Sequence, residues 1–492
     1  MIDDELKNDK NANVLVSIEK YIEKLDTLQY YFQDVQEILL EKQKIIEENS
    51  DILKFLSLAN DVSRLLKQDS SMYKSVYDVN QHEGSDVKYD DLKLIQSWYV
   101  DNDVSRDNFE LINQDDNDIK NMLEYYSFKV WKGGKITLTF RTGEIANEAS
   151  EISRSIKRNR DALAELATSS VITLANTFEL LISNVFRNDI EYNSKTKDTG
   201  FDSMSISFTD LSKIGNVSEA RELLVEEHLT DIMKKSAGDW LNRLGKINKK
   251  IFKLNDEQLK VVEFFQRRNI IVHNDGIVNN YYLTNVDENL KKNLKKGDKI
   301  EISAQYIIKK ISELRVIGLK IFWYWYETAF QGEISEIFNT YTGVAFKLLK
   351  LGKNTEARNV YELMLEQSNK LNGSQKLTTK INLIQTYKWE NNQEKVIDEV
   401  KKLDFSLAND AFKMSRCLLL DDFDNALRFL KRHISYQKTL DEKTDIIDEY
   451  LTWPLFKKFI LEDNFSKYAD SIGYEIKVSD IDQGDKKCTE KK

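Results

Sequence analysis

Apolar residues recur at helical spacing over most of this chain. Val16, Ile18, Ile22, Leu25, Leu28, Phe32, Val35 and Leu39 open a periodic stretch in residues 13–67 that resumes from Ile45 to Leu66, which predicts two long helices folded as a hairpin. From about 68 to 120, polar and acidic clusters such as YDDL and NQDDNDIK replace the periodicity. The period then shortens to two in YYSFKVWKGGKITLTFRTG, where alternation on either side of Gly133 and Gly134 predicts a β-hairpin with a glycine-bearing turn. Such a hairpin is marginal alone, so it is expected to pack on the N-terminal helices or on a partner.

Residues 150–330 hold four long amphipathic segments and predict a helical bundle. The first is DALAELATSSVITLANTFELLISNVFRNDI; the second is SEARELLVEEHLTDIMKK continuing to DWLNRLGKI. DEQLKVVEFFQRRNIIVHND follows, with Asn255 or Asp256 as expected N-cap and Gly276 as its stop. SAQYIIKKISELRVIGLKIFWYWYETAF closes the set. Beyond 331 the pattern changes to short helix pairs around GVAFKLLKLGKNTEARNVYELML, INLIQTYKWENNQEKVIDEVKKL and FKMSRCLLLDDFDNALRFLKRHI. Their small-residue anchors Ala357, Val396 and Ala426 recur irregularly, near the ~34-residue period of tetratricopeptide repeats. A short α-solenoid and a plain helical bundle both accommodate them. The expected organisation is therefore a regulatory N-terminal region (1–149), a bundle (150–330), helical repeats (331–480) and a polar tail (481–492).

Composition sharpens this picture. One proline and 17 glycines in 492 residues leave helices rarely interrupted, so the fold class is mainly α. A net charge of -10 disfavours indiscriminate nucleic-acid binding, although a local basic patch can still hold phosphates. Cys417 and Cys488 form neither a disulfide framework nor a metal-ligand spacing, and four scattered histidines add none; no cofactor or metal is called for. The polar start MIDDELKNDKNANVL lacks a signal-peptide pattern and no stretch approaches 18 uncharged apolar residues, so a cytoplasmic protein without membrane contact is expected.

The chemistry concentrates in FFQRRNIIVHNDG, residues 264–276. On a helix Arg268 lines up with Val261, Phe264, Phe265, Ile271 and Val272, and a guanidinium in an apolar stripe must be paired, face a partner subunit or meet an anion. Asn269 and His273 lie four apart, so the amide can orient the imidazole. Arg268 and His273 are offset by about 140° on an ideal helix, a geometry that calls for an unwound last turn or a second copy of the helix.

RRNIIVH resembles the Arg-x4-6-His motif of the HEPN superfamily, in its Arg-Asn-x3-His form, over about residues 150–330. The resemblance implies a HEPN-like four-helix bundle and a metal-independent endoribonuclease, a homodimer whose two motifs meet across the interface. His273 would exchange the proton of a ribose 2′-OH, Arg268 would hold phosphoryl oxygens, Asn269 would bond the phosphate, and Arg267 would add charge. Glu179 matches the family's acidic first-helix position; pairing with Arg268 and an ordinary structural salt bridge are both open. The spacing alone discriminates little, because Arg221 with His228 and Arg428 with His433 also satisfy it. Lys246, Lys249 and Lys250 precede the motif helix and KKNLKKGDK follows it, which makes them candidates for RNA contact. The run FWYWY at 322–326 suits either base stacking or a bundle core.

With these flanking regions, the resemblance implies a toxin-like effector of bacterial antiphage defence, of the abortive-infection kind. Its N-terminal region or C-terminal repeats would answer to a protein trigger or regulator. The alternatives are a non-catalytic HEPN scaffold and a helical-repeat interaction protein.

Overall fold

A computed structural model describes residues 2–48, 85–86, 126–131, 135–140, 142–192, 201, 204–291, 293–300, 302–330, 333–436 and 440–474. These residues are mainly helical, as the scarcity of proline predicts. The chain packs as two compact units, residues 1–29 with 171–492, and residues 30–170. Helices α1 (Ile2–Glu48) and α2 (Gly143–Tyr192) contribute to both. The boundary expected at 149/150 thus falls inside one helix, and the described residues on either side of the boundary expected at 330 belong to the same unit. The cause is burial: the apolar positions of α1 up to Leu28 and those of α2 beyond Val171 find their partners in the same core.

Within the smaller unit, Asn159 on α2 donates its side-chain amide to the Leu39 carbonyl of α1 at 2.7 Å. Strands β1 (Ser85–Asp86), β2 (Tyr126–Trp131) and β3 (Lys135–Phe140) form an antiparallel sheet in that order, with β2 and β3 in register from Tyr126 opposite Phe140 to Trp131 opposite Lys135. The period-two reading of this stretch matches that pairing. Its glycine turn, the second helix of the N-terminal hairpin, the polar stretch from about 68 to 120 apart from Ser85 and Asp86, Cys488 and the polar tail lie outside the described residues.

The larger unit continues with α3 (Phe208–Ile214), α4 (Val217–Met233), α5 (Ala237–Ile247), α6 (Lys249–Phe252), α7 (Asn255–Asn274), α8 (Asn280–Asn285), α9 (Glu288–Lys291) and α10 (Ala304–Ala329). The second bundle segment is two helices rather than one, because Ser236 and Asp239 form a reciprocal capping box that starts α5 afresh. Helix α7 begins at Asn255 without a side-chain cap, contrary to the expected Asn255 or Asp256 cap; Asn255 itself sits at φ +21°. Its end is as expected, with Asp275 and Gly276 both at positive φ.

Helix α10 is apolar nearly all round and is buried accordingly. Phe322, Trp323, Tyr324, Trp325 and Tyr326 are all buried, so the aromatic run is core rather than a stacking surface. Phe178 of α2, Trp240 of α5 and Phe265 of α7 close the core between the helices, with ring centroids 5.3 to 6.0 Å apart at Phe265. Helix α1 enters this core through Tyr21, whose hydroxyl donates to the Leu314 carbonyl at 2.6 Å. Gly318 permits that approach: a Cβ there would lie 2.6 Å from Tyr21 Cε1 and 2.8 Å from Leu181 Cδ2.

Fully buried Arg315, one turn before Gly318, donates to Asp26 at 2.9 Å and pairs with Glu356. Lys347 and Lys353 also reach Asp26, at 2.7 and 3.8 Å. One guanidinium thereby ties α1 and α10 to the helices that follow.

Those helices form successive hairpins: α11 (Ser335–Lys350) with α12 (Asn354–Leu365), α13 (Gly373–Trp389) with α14 (Gln393–Lys401), and α15 (Asp410–Leu419) with α16 (Phe423–Ser435). α17 (Leu440–Leu451) and α18 (Asp463–Ser471) complete the described chain. Each hairpin turns on one residue at positive φ, namely Gly352, Asn391 and Asp421. The amide of the next residue then bonds the carbonyl five positions back, in Lys353 to Leu348, Asn392 to Tyr387 and Asp422 to Cys417. Gly473 and Tyr474 repeat the geometry onto Ala469. In each hairpin the fully buried anchor, Ala357, Val396 or Ala426, stands five residues after the turn.

Helix α2 is long and apolar enough to cross a membrane by length and composition, which the sequence reading did not expect; 56% of that window is buried inside the protein. An apolar run of this kind is what a central bundle helix also requires.

Replacing Gly318 by alanine should cost about 1–3 kcal/mol by overpacking. Urea unfolding followed by the helical circular-dichroism signal checks this, and an unchanged midpoint would mean that α1, α2 and α10 can part at no cost.

Candidate functional site

The motif residues all lie on the C-terminal half of α7, but the structure gives them different surroundings. Arg267 turns inward. Its Nε donates to buried Glu263 at 2.7 Å, and its guanidinium lies 4.4 Å from the Tyr306 ring centroid. Lys310 of α10 reaches the other Glu263 oxygen at 3.1 Å and Glu313 at 3.0 Å. Tyr282 and Tyr306 direct their hydroxyls at Glu263 from 3.5 and 3.4 Å. Burial pushes the Tyr282 hydroxyl up to about 12 and that of Tyr306 well above its ordinary value. Arg267 therefore belongs to a buried charge network that fixes α7 against α8 and α10.

Arg268 points to α2. Its Nη2 lies 3.9 Å from Glu179 Oε1, its Nη1 donates to Asn269 Oδ1 at 3.2 Å, and its buried Nε has no hydrogen-bond partner. Burial raises the Glu179 carboxyl above the usual carboxylate range, and Arg268 offsets part of that rise. The expected pairing with the first-helix acid is present at long range. Val261, Phe264 and Phe265 of the expected stripe are buried, whereas Val272 is exposed and Ile271 half-buried, so the apolar stripe ends before the last turn.

His273 is exposed on that last turn. Among the described residues no hydrogen bond or ion pair to its ring is present, so Asn269 does not orient it; the Asn269 oxygen is engaged by Arg268 instead. Asn269 and His273 do share a groove of about 330 Å³ with Gln266, Ile270, Asn274, Asn279 and Tyr281. Its far wall comes from Asn279 and Tyr281, on the segment between α7 and α10 that further on carries the basic run KKNLKKGDK. Gly276, Val278 and Asp298 to Ile300 exchange backbone hydrogen bonds, and Ile270, Val278, Tyr282, Val286 and Ile300 form a small core beneath them. Lys299 pairs with Asp275 at 3.1 Å at the end of α7.

The lysines proposed for RNA contact lie elsewhere. Lys250 pairs with Glu327 at 2.9 Å and lines a cleft of about 610 Å³ with Asp256, Glu257 and Lys320. Glu257 stands roughly 24 Å along the α7 axis from His273 at 1.5 Å per residue. Lys246 and Lys249 are exposed at that same end, where α5 and α6 meet. The other matches to the spacing have structural surroundings: His228 lies 3.1 Å from Arg243, and His433 packs against the Tyr450 ring.

Sequence reasoning missed Glu263, Lys310, Gln266 and Tyr281. Glu263 interrupts the apolar VVEFF run four residues before Arg267, a legible signal of a buried pair. Lys310, Gln266 and Tyr281 had no comparable local mark. No group of three or more His, Cys, Asp or Glu residues placed to hold a metal occurs among the described residues. Comparison of the chain with models of protein families, with curated proteins and with solved structures returned no match in any of the three.

Exchanging Glu263 for glutamine leaves Arg267 buried without its anion and Lys310 with Glu313 alone, and should cost about 3–5 kcal/mol. A urea midpoint equal to that of the unchanged protein would contradict the network. For Glu179, the raised folded pKa means that the native state holds this proton more tightly than the unfolded chain does. Its contribution is fully present below the ordinary carboxylate value near 4.3 and is lost as pH rises through the folded value. Glu179→Gln should flatten that limb of the stability–pH curve, measured as urea midpoints across the acidic range.

Proposed function

We propose that the chain is a HEPN-type, metal-independent endoribonuclease acting as a homodimer through its helical bundle. One observation carries the reading: His273 stands exposed at the mouth of a groove, while Arg268 on the adjacent face retains a buried Nε without a partner. The neutral His273 ring takes the proton of a ribose 2′-OH; the 2′ oxygen attacks the adjacent phosphorus, and the bond from phosphorus to the 5′ oxygen breaks. A protonated imidazole returns a proton to the leaving oxygen, giving a 2′,3′-cyclic phosphate and a 5′-OH. The Arg268 fork neutralises charge on the phosphoryl oxygens, and Asn269 positions that fork through the hydrogen bond they share. Because Arg268 and His273 occupy different faces of α7, each reaction centre takes one from each copy.

The hairpins from residue 335 onward, with their uniform turns, form a tetratricopeptide-like solenoid in this reading, which receives a protein regulator. The whole is a toxin-like effector of antiphage defence, cytoplasmic and held inactive until triggered. The interaction-protein alternative is favoured by the same hairpins; loss of partner binding on deletion of the repeats, with no cleavage by any form, would select it.

His273→Ala and Arg268→Ala should each abolish cleavage of cellular RNA and growth inhibition while leaving the circular-dichroism spectrum intact. Mixed and refolded together, the two variants should recover about a quarter of the activity, because half the dimers then hold one intact composite centre. Full activity in His273→Ala alone refutes the assignment; no recovery on mixing refutes the shared centre.

A further inference from the structure

Resting on the ribonuclease reading, we propose that the groove beside His273 is a recognition pocket for one unpaired amine-bearing base of the RNA, with Tyr281 as its stacking wall and Gln266 as its reading group. The deciding observation is Gln266. It is only 7% exposed and lines the groove, yet its Oε1 has no hydrogen-bond partner. A buried acceptor left open is costly, so the group is built for a donor that arrives with a ligand.

The other polar groups define that ligand by elimination. Asn274 spends its amide nitrogen on the Ile277 carbonyl at 2.6 Å and keeps its oxygen. Asn279 spends its oxygen on the Tyr282 amide at 2.9 Å and keeps its nitrogen. Asn269 spends its oxygen on Arg268 and likewise keeps its nitrogen. Its amides thus offer two open acceptors, on Gln266 and Asn274, and nitrogens on Gln266, Asn269 and Asn279, beside the His273 ring and the Tyr281 hydroxyl. Two acceptors call for two hydrogens on one edge of the base, which the exocyclic amines of adenine, cytosine and guanine help supply and uracil, with its single N–H, does not.

Shape agrees with the polar pattern. Ile270 supplies an apolar floor, and Tyr281, 61% exposed, presents a ring on which a planar base can stack. A groove of about 330 Å³ admits a base but no duplex, so the strand is single and the base unstacked. Recognition here supplies what the acidic surface does not: affinity through a base face rather than through phosphate charge.

The test uses the full chain with fluorescein-labelled 2′-O-methyl oligonucleotides, which lack the attacking hydroxyl, and reads anisotropy at fixed salt. Oligoadenylate and oligocytidylate should each bind about tenfold or more tightly than oligouridylate or a self-complementary duplex. Tyr281→Ala should weaken oligoadenylate binding about 5- to 100-fold, and Tyr281→Phe should restore it. Gln266→Leu should erase the preference among bases; Tyr281 is exposed, so its variants keep the test valid if Gln266→Leu fails to fold. Equal affinity for all strands, a preference for duplex, or unchanged binding in Tyr281→Ala overturns the pocket. Cleavage of unmodified RNA is scored separately: selective oligoadenylate binding without cleavage sinks only the ribonuclease reading, whereas cleavage indifferent to Tyr281→Ala sinks only the pocket.

Discussion

A single guanidinium, that of Arg315, organises the larger unit. It is fully buried and meets carboxylates from two directions, Asp26 on the N-terminal helix and Glu356 on the hairpin of α11 and α12. An uncompensated charge at that depth is untenable, so the three helices are held to one arrangement. Hydrophobic burial would tolerate many slides of α1 along α10; the Arg315 to Asp26 pair and the contact of Tyr21 over Gly318 select one.

The same helix carries a second buried cation toward the candidate site. Lys310 sits five residues before Arg315 and meets Glu263, which in turn holds Arg267 and faces the Tyr282 and Tyr306 hydroxyls. Through Tyr282, α7 is coupled to the segment that supplies Asn279 and Tyr281. The groove beside His273 is therefore built on charge pairs one layer below it. Of the two adjacent arginines, Arg267 is committed to that layer, which leaves Arg268 with donors to spare at the surface of the helix.

Helices and the β-pairing were legible in the sequence because each depends on local periodicity and composition, whereas the aromatic run suited core and stacking alike and only its burial decides between them. The cap on Ser236 was locally encoded as well, in the Ser-x-x-Asp pattern that splits the second bundle segment, and was passed over because apolar positions continue across it. What periodicity could not carry was the long-range pairing of Asp26 with Arg315, since either charge read alone suits a solvated face. The site divides in the same way. Spacing put Arg268 and His273 on different faces of α7, but the Arg267 commitment, the engagement of Lys250 with Glu327, and the contribution of residues 276–302 all depend on contacts between elements distant in sequence.

The turns of the helical hairpins have one more implication. Gly352, Asn391 and Asp421 stand 39 and 30 residues apart, yet each is followed at the same distance by its buried anchor. The invariant is the corner, a positive-φ residue plus a hydrogen bond reaching five residues back, and not the length between corners. Residues can enter or leave the connecting stretches without disturbing any corner. Such hairpins can differ in length while every corner still closes, so the same shape recurs where the sequence shows no fixed period.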